Sequence, residues 1–226
     1  MFASRRPVLR WVSCVLMLIA AVHIIHGAPD AARVQLRPGA VKNLRPGTLL
    51  VASRDLPDPN FTDTVVVLAQ FSEKDGAMGL IVNRQTSVPL SRVVPDLKGR
   101  ADMSVFLGGP VSADSVLALA RSARPIADSQ HIADDVYLVT SAESLEAQLQ
   151  AGEGREHVRI YLGYCGWAPG QLERETIAGG WHVLPPDPAV VFDADPDSVW
   201  ERELKKSEGL MARLPIPTRP VAPLAN

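Results

Sequence analysis

Apolar residues recur in short blocks along most of this chain, and turn-forming residues separate the blocks. The first three blocks, residues 48–53, 64–71 and 77–83, are rich in Val, Leu and Ile, which favours β-strands. Residues 72–76 (SEKDG) lie between the second and third blocks. They predict a hairpin with a five-residue loop.

Later blocks predict further strands. Residues 105–110 indicate a short strand that ends in flexible backbone, residues 116–120 fit either a strand or a helix, and residues 135–140 indicate a strand. At residues 158–164 apolar side chains occupy every second position, which is typical of a half-buried strand. Residues 181–184 predict one more strand after a Gly-Gly pair.

Three segments have helical signals. Residues 140–143 (TSAE) have capping-box spacing and predict a helix that stops at Gly152. Residues 172–178 predict a short helix with acidic residues in its early turns, where the helix dipole favours them. Residues 198–201 (SVWE) form a second capping box and predict the last helix.

The first 28 residues have the pattern of an export signal. Three arginines within the first ten positions precede an apolar run at residues 11–25. Adjacent arginines also fit a twin-arginine signal, and a membrane anchor over residues 11–28 is a second option because no good cleavage site follows the run. We predict an exported protein, periplasmic or anchored in the inner membrane. A cytoplasmic protein with a misread start is the alternative.

Turn-forming residues divide the rest of the chain. Residues 29–46 are predicted to be a linker, because Leu-Arg-Pro-Gly segments occur at residues 36–39 and 44–47. Residues 47–213 carry the strand and helix patterns and form the predicted domain. Residues 214–226 are a Pro-rich tail that prevents regular structure.

Composition restricts the class of protein. Of 226 residues, 46% are apolar and 21% are charged, which excludes disorder and allows a sizeable core. From residue 29 onward 20 basic residues face 25 acidic ones, a balance that disfavours nucleic acid as a partner. Cys14 lies in the leader and Cys165 is the other cysteine, so the domain forms no internal disulfide.

Four motifs in order resemble the bacterial YqgE/AlgH family: residues 58–61 (DPNF), 76–83 (GAMGLIVN), 108–111 (GGPV) and 163–175 (GYCGWAPGQLERE). The resemblance implies an α+β domain whose mixed, bifurcated β-sheet rolls into a pseudo-barrel with short flanking helices. It also implies that residues 116–120 form a strand. It implies no activity, and one branch of the family is linked by name to regulation of alginate synthesis.

The motif residues have a structural and a functional interpretation. As structure, they shape turns and anchor loops on the core. The residues with this interpretation are Asp58, Phe61, Gly76, Gly79, Trp167 and Gly170. As function, polar groups on loops would line a cleft for a small polar ligand. The candidate ligand-binding residues are Asn83, Gly108, Gly109, Gln171 and Glu175.

Catalytic and metal signals are weaker. Cys165 follows a predicted strand and precedes a helix, so a hydrolase with Cys165 as nucleophile, His182 as base and Glu175 or Glu173 as acid is the alternative function. The densest cluster of metal-ligating residue types lies at residues 131–135, without the spacing of a metal motif. No cofactor-binding motif is present, so we expect no metal and no cofactor.

Taken together, these patterns favour a non-enzymatic envelope protein. We expect it to bind another protein or a small polar ligand, with a regulatory role as one option. Nucleic acid is not an expected partner, and a membrane is expected to be one only through residues 11–28 if they are not cleaved.

Overall fold

The computed structural model describes residues 41–95, 103–151 and 156–212. The predicted leader, the predicted Pro-rich tail, most of the predicted linker and the helix stop predicted at Gly152 lie outside these ranges. In the described part of the chain, ten strands form one connected sheet. The strands are β1 (Leu49–Ala52), β2 (Val65–Ser72), β3 (Gly76–Ile81), β4 (Gln85–Pro89), β5 (Ser104–Leu107), β6 (Val111–Arg121), β7 (Ser129–Ala133), β8 (Val136–Val139), β9 (Val158–Trp167) and β10 (Trp181–Leu184).

The sheet divides at β9. The main path runs β10-β1-β2-β3-β9-β6-β8-β7. One edge of β9 pairs with β6, while its other edge pairs first with β5, in parallel, and then with β3, antiparallel. The remaining strand pairs are antiparallel. The predicted mixed, bifurcated sheet of an α+β protein is therefore confirmed.

Side chains bring β7 close to β2. The Gln130 side chain of β7 donates to the Ala69 carbonyl of β2 at 2.9 Å and accepts from the Gln70 side chain at 2.9 Å. No ladder joins the two ends of the sheet path, β7 and β10, within the described residues. The sheet is thus rolled into a pseudo-barrel that stays open.

Helices flank the sheet, and all those described are short except the last, which has 17 residues. After a 3-10 helix at Pro59–Phe61, they are α1 (Leu90–Val93), α2 (Ala142–Gln150), α3 (Gln171–Ile177), α4 (Pro188–Val191) and α5 (Pro196–Ala212). The interior of the roll is apolar and joins residues from both ends of the sheet, such as Ile132 of β7 and Leu184 of β10. Val199 and Leu204 of α5 belong to the same core. Separate apolar clusters lie under α2 and α3.

Two predicted helix starts are displaced. The N-cap of α2 is Ser141 rather than Thr140, because the Ser141 hydroxyl accepts from the backbone N–H of Ser144. Helix α5 begins at Pro196, so Ser198 lies in its first turn, where its hydroxyl donates to the Asp195 carbonyl at 3.3 Å. Adjacent residues with capping side chains compete for one cap, and only the backbone path selects between them.

Several strand predictions change in detail. The hairpin loop has three residues, because Ser72 and Gly76 pair with each other. Residues 116–120 are the end of the longer strand β6, whose pairing with β9 shifts register between Val111 and Val116. Strands β4 and β7 and helices α1 and α4 have no clear signal in the pattern, and the sequences of β4 (QTSVP) and β7 (SQHIA) lack a block of apolar residues.

Strand β9 is buried on both faces, so its predicted half-burial is wrong. Arg159 is 4% exposed and Tyr161 is fully buried, although both alternate with the apolar side chains of Val158 and Ile160. The reason is tertiary: one face of β9 packs in the cluster under α2, and the other faces the interior of the roll.

Candidate functional site

The Gly108–Gly109 segment lies where the two branches of the sheet meet. The Gly108 N–H donates to the Leu162 carbonyl of β9 at 2.8 Å, and the Gly108 carbonyl accepts from the Ile81 N–H at 2.8 Å. A Cβ on Gly108 would lie 2.4 Å from the Gly163 oxygen, and one on Gly109 would lie 2.2 Å from the Tyr164 carbonyl carbon. Glycine is required here because the backbones approach too closely for a side chain.

Asn83 holds the loop that contains residues 58–61. Its side-chain oxygen accepts from the Val65 N–H at 2.8 Å, and its amide nitrogen donates to the Asp63 carbonyl at 2.9 Å. Asp58 shapes the same loop by accepting from the Asn60 N–H at 2.9 Å. The neighbouring Arg84 donates to the Asn60 carbonyl at 2.7 Å. The groups of Asn83 and Asp58 are therefore used within the chain.

Gln171 and Glu175 lie together, as their spacing on one helix predicts. The Gln171 amide donates to Glu175 Oε1 at 2.9 Å, and its oxygen accepts from the Ala168 N–H at 3.0 Å. Glu175 Oε2 accepts from the indole N–H of Trp167 at 3.0 Å and from that of Trp181 at 2.9 Å. This group, the Glu175 clamp, joins β9, α3 and β10.

The two tryptophans of the clamp also belong to an aromatic cluster. The Phe61 ring lies 5.9 Å from the Trp167 ring in a stacked arrangement and 5.2 Å from the Trp181 ring edge-on. Gly79 adjoins this packing, because a Cβ there would lie 3.5 Å from the Trp167 ring and 2.6 Å from the Val66 side chain. Gly170 is the N-cap of α3 with φ +71°.

A ligand-binding role for the five predicted cleft residues stays a prediction.

The three residues of the hydrolase alternative are not arranged as a catalytic triad. Cys165 is fully buried, its thiol donates to the Gly108 carbonyl at 3.3 Å, and burial raises its pKa far above the usual thiol range. Both Glu175 oxygens accept hydrogen bonds within the clamp. His182 lies on β10, and β1, β2 and β3 separate that strand from β9.

The acidic and histidine residues at 131–135 are engaged in local contacts. A ring nitrogen of His131, Nε2, lies 2.8 Å from the Asp134 carbonyl oxygen, and Asp135 pairs with Arg121 at 2.8 Å. Across residues 41–95, 103–151 and 156–212, no three His, Cys, Asp or Glu side chains form a group that could hold a metal ion.

A cavity of about 250 Å³ lies beside the buried start of β9. Its lining includes apolar walls and a few polar groups. The lining residues are Gln85, Met103, Ser104, Phe106, Glu156, Val158, Arg159, Phe192 and Ala194. This space, the Arg159 cavity, contains none of the residues that the sequence motifs singled out.

Arg159 is the buried cation of this cavity. Its Nη1 donates to the Val82 carbonyl at 3.2 Å, and its Nη2 donates to the Asp193 carbonyl. The guanidinium carbon lies 4.7 Å from the centre of the Phe106 ring, a cation–π contact. The Nε atom is buried and has no hydrogen-bond partner among the described residues. The sequence signal that could have indicated this site is an arginine within a strand of otherwise apolar and aromatic residues.

Residues 49–212 match the AlgH-like family model, which covers most of the chain. The chain belongs to the AlgH-like family. Its relatives include a UPF0301 protein of Methylococcus capsulatus, 38% identical over 67% of this chain and 83% of the relative. A UPF0301 protein of Streptomyces avermitilis is 35% identical over 80% of this chain and 94% of the relative.

Solved structures agree with the AlgH-like fold. The solution structure of the AlgH protein from Pseudomonas aeruginosa matches with a TM-score of 0.61 at 31% identity, over 80% of this chain and 97% of that protein. A crystal structure of a Corynebacterium diphtheriae protein matches in fold with a TM-score of 0.59, over 77% of this chain and 90% of that one. The YqgE/AlgH resemblance is therefore confirmed, and it brings no characterised activity.

Residues 1–48 precede the segment that matches the AlgH-like family. Among the helices of the described ranges, none is long and apolar enough to span a membrane. The predicted anchor at 11–28 lies outside those ranges.

Proposed function

We propose that this AlgH-like protein is a non-catalytic binding protein whose small polar ligand occupies the Arg159 cavity. The observation that carries the proposal is the cavity itself, about 250 Å³ of space beside a buried, incompletely paired arginine. Ligand sites are typically concave, mostly apolar and equipped with a few placed polar groups. The Arg159 cavity has this composition, with Gln85 and Ser104 as further polar groups.

The contacts of Cys165 favour binding over the hydrolase alternative. A nucleophilic cysteine needs an accessible thiolate and a neighbouring base. Cys165 is fully buried, and burial favours its neutral thiol. A binding function requires neither group.

The test uses a cavity-blocking variant. Ala194 lines the cavity and is exposed, so Ala194→Trp places a large ring at its edge without removing a described hydrogen bond. Ala147→Trp, on the exposed face of α2, is the matched control. We expect saturation-transfer NMR of the full chain with a set of small polar compounds to detect binding that Ala194→Trp abolishes and Ala147→Trp retains. Hits that survive in Ala194→Trp, or no hits, would overturn the proposal.

We also propose that the protein acts in the bacterial envelope. The basic start and the apolar run at residues 11–25 support this location, and they precede the family domain. An alkaline phosphatase fusion after Ala40 should be active in cells, whereas an inactive cytosolic fusion would overturn the proposal. Replacing Arg5 and Arg6 by Lys should block export only if the twin-arginine route is used, because general secretion needs only positive charge.

A further inference from the structure

The charge of Arg159 is incompletely compensated within the described chain. Two of its N–H groups donate to backbone carbonyls, and no carboxylate of the described residues lies within 4 Å of its guanidinium. The buried Nε–H has no partner in the described part of the chain. A buried cation is costly unless an anion or further hydrogen bonds compensate it. An anionic group in the cavity would supply this compensation.

The walls of the Arg159 cavity restrict which anion fits. Phe106, Val158 and Phe192 give it apolar surface. Its volume of about 250 Å³ is below the roughly 300 Å³ at which pockets for drug-sized ligands begin. A ligand of this size that contacts both these walls and Arg159 has a short apolar body and one polar end.

Glu156 sets a limit on the ligand charge. It is exposed and lines the same cavity, so its carboxylate adds negative charge near the site of the bound anion. One buried guanidinium compensates one negative charge, and a dianion would be repelled by Glu156. A single carboxylate also matches the flat fork of guanidinium donors.

We infer that the Arg159 cavity binds a small monocarboxylate with an apolar body. The carboxylate accepts hydrogen bonds from the guanidinium of Arg159, and the body packs against the Phe106 and Phe192 rings. This inference rests on the proposed function and adds to it the chemical class of the ligand.

Pairs of compounds that differ only in charge test the inference on the unaltered full chain. Benzoate is compared with benzamide, and hexanoate with hexanamide, by isothermal titration calorimetry and NMR at neutral pH. Each carboxylate should bind roughly tenfold or more tightly than its amide, as expected for a charge-assisted hydrogen bond. Phenyl phosphate, a dianion of similar body, should bind more weakly than benzoate.

Two arginine variants then locate the binding. Arg159→Lys should lower benzoate affinity about tenfold or more, because Lys keeps the charge but loses the two-donor fork. Arg54→Lys is the control, since Arg54 pairs with Glu208 and does not line the cavity. It should leave benzoate affinity unchanged.

The outcomes separate the two proposals. Equal affinity for acid and amide, tighter binding of phenyl phosphate, or unchanged benzoate affinity in Arg159→Lys would overturn the inference. The proposed function still stands after any of these results if Ala194→Trp abolishes binding of the compound. If Arg159→Lys does not fold, the acid and amide comparison on the unaltered chain decides. Absence of binding by every compound would overturn both proposals.

Discussion

The carboxylate of Glu175 accepts a hydrogen bond from the indole N–H of Trp181 at 2.9 Å. Glu175 belongs to α3, and Trp181 is the first residue of β10, so this bond fixes the direction in which the chain leaves the helix. Trp167, at the end of β9, donates to the same carboxylate oxygen at 3.0 Å. The family motif at residues 163–175 therefore acts with Trp181 to lock three elements together.

Replacing Glu175 by Ala should lower the free energy of unfolding by about 2 kcal/mol, because two indole donors lose a charged acceptor. Urea denaturation followed by tryptophan fluorescence measures the change. Glu173→Ala is the control on the same helix, and we expect it to change stability by less than about 0.5 kcal/mol. Equal effects of the two substitutions would show that the clamp contributes little.

A pair of glycines tests the close backbone approach at the β2–β3 hairpin. Gly76 has φ +92°, and a Cβ there would lie 2.1 Å from the Trp167 carbonyl oxygen. Gly76→Ala should lower the free energy of unfolding by about 3 kcal/mol or more, because backbone strain and steric overlap act together.

The matched control is Gly209 in α5, where a Cβ would have no heavy atom within 4 Å. Gly209→Ala should stabilise the protein by about 0.5 to 1 kcal/mol, because Gly is a poor helix former. Thermal unfolding of both variants checks the opposite signs. A mild effect of Gly76→Ala would contradict the described hairpin.

Cys165 should resist alkylation in the native protein. Its thiol is buried and its pKa is raised, so little reactive thiolate is present at neutral pH. In a Cys14→Ser variant, which leaves one thiol, iodoacetamide at pH 7.5 should modify the protein only on unfolding in urea. Intact-mass spectrometry measures the reaction. Rapid native modification would favour the hydrolase alternative.

Tyr161 should make stability fall at alkaline pH. Burial raises the pKa of its hydroxyl from 10.0 to about 12, although the nearby Arg159 guanidinium acts in the opposite direction. Above pH 10 the unfolded chain loses this proton while the folded chain keeps it, so unfolding becomes more favourable as pH rises towards 12.

Comparison with Tyr161→Phe isolates this effect from other titrating groups. Between pH 9 and pH 11 the unaltered protein should lose about 1 kcal/mol more stability than the variant. At pH 7 the variant should be about as stable as the unaltered protein, because no described residue makes a close hydrogen bond with the buried Tyr161 hydroxyl. Denaturant titrations across this range provide the measurement, and parallel pH profiles would contradict it.

Local patterns predicted most of the strands and the family. Val-rich blocks such as residues 64–71 identify strands because β-branched side chains favour extended backbone. The spacing of Gln171 and Glu175 correctly places them side by side on a helix. It does not reveal that two tryptophans, from the strands before and after that helix, donate hydrogen bonds to the Glu175 carboxylate.

The sequence by itself determined the class of protein, the positions of its main strands along the chain and the glycine-rich motifs, since each depends on residues close together in the chain. Only the tertiary structure decided the position of Arg159. Alternation predicted a half-buried strand, but pairing of β9 with β3, β5 and β6 and rolling of the sheet enclose both its faces. Burial depends on contacts between residues far apart in sequence, and local periodicity carries no information about them.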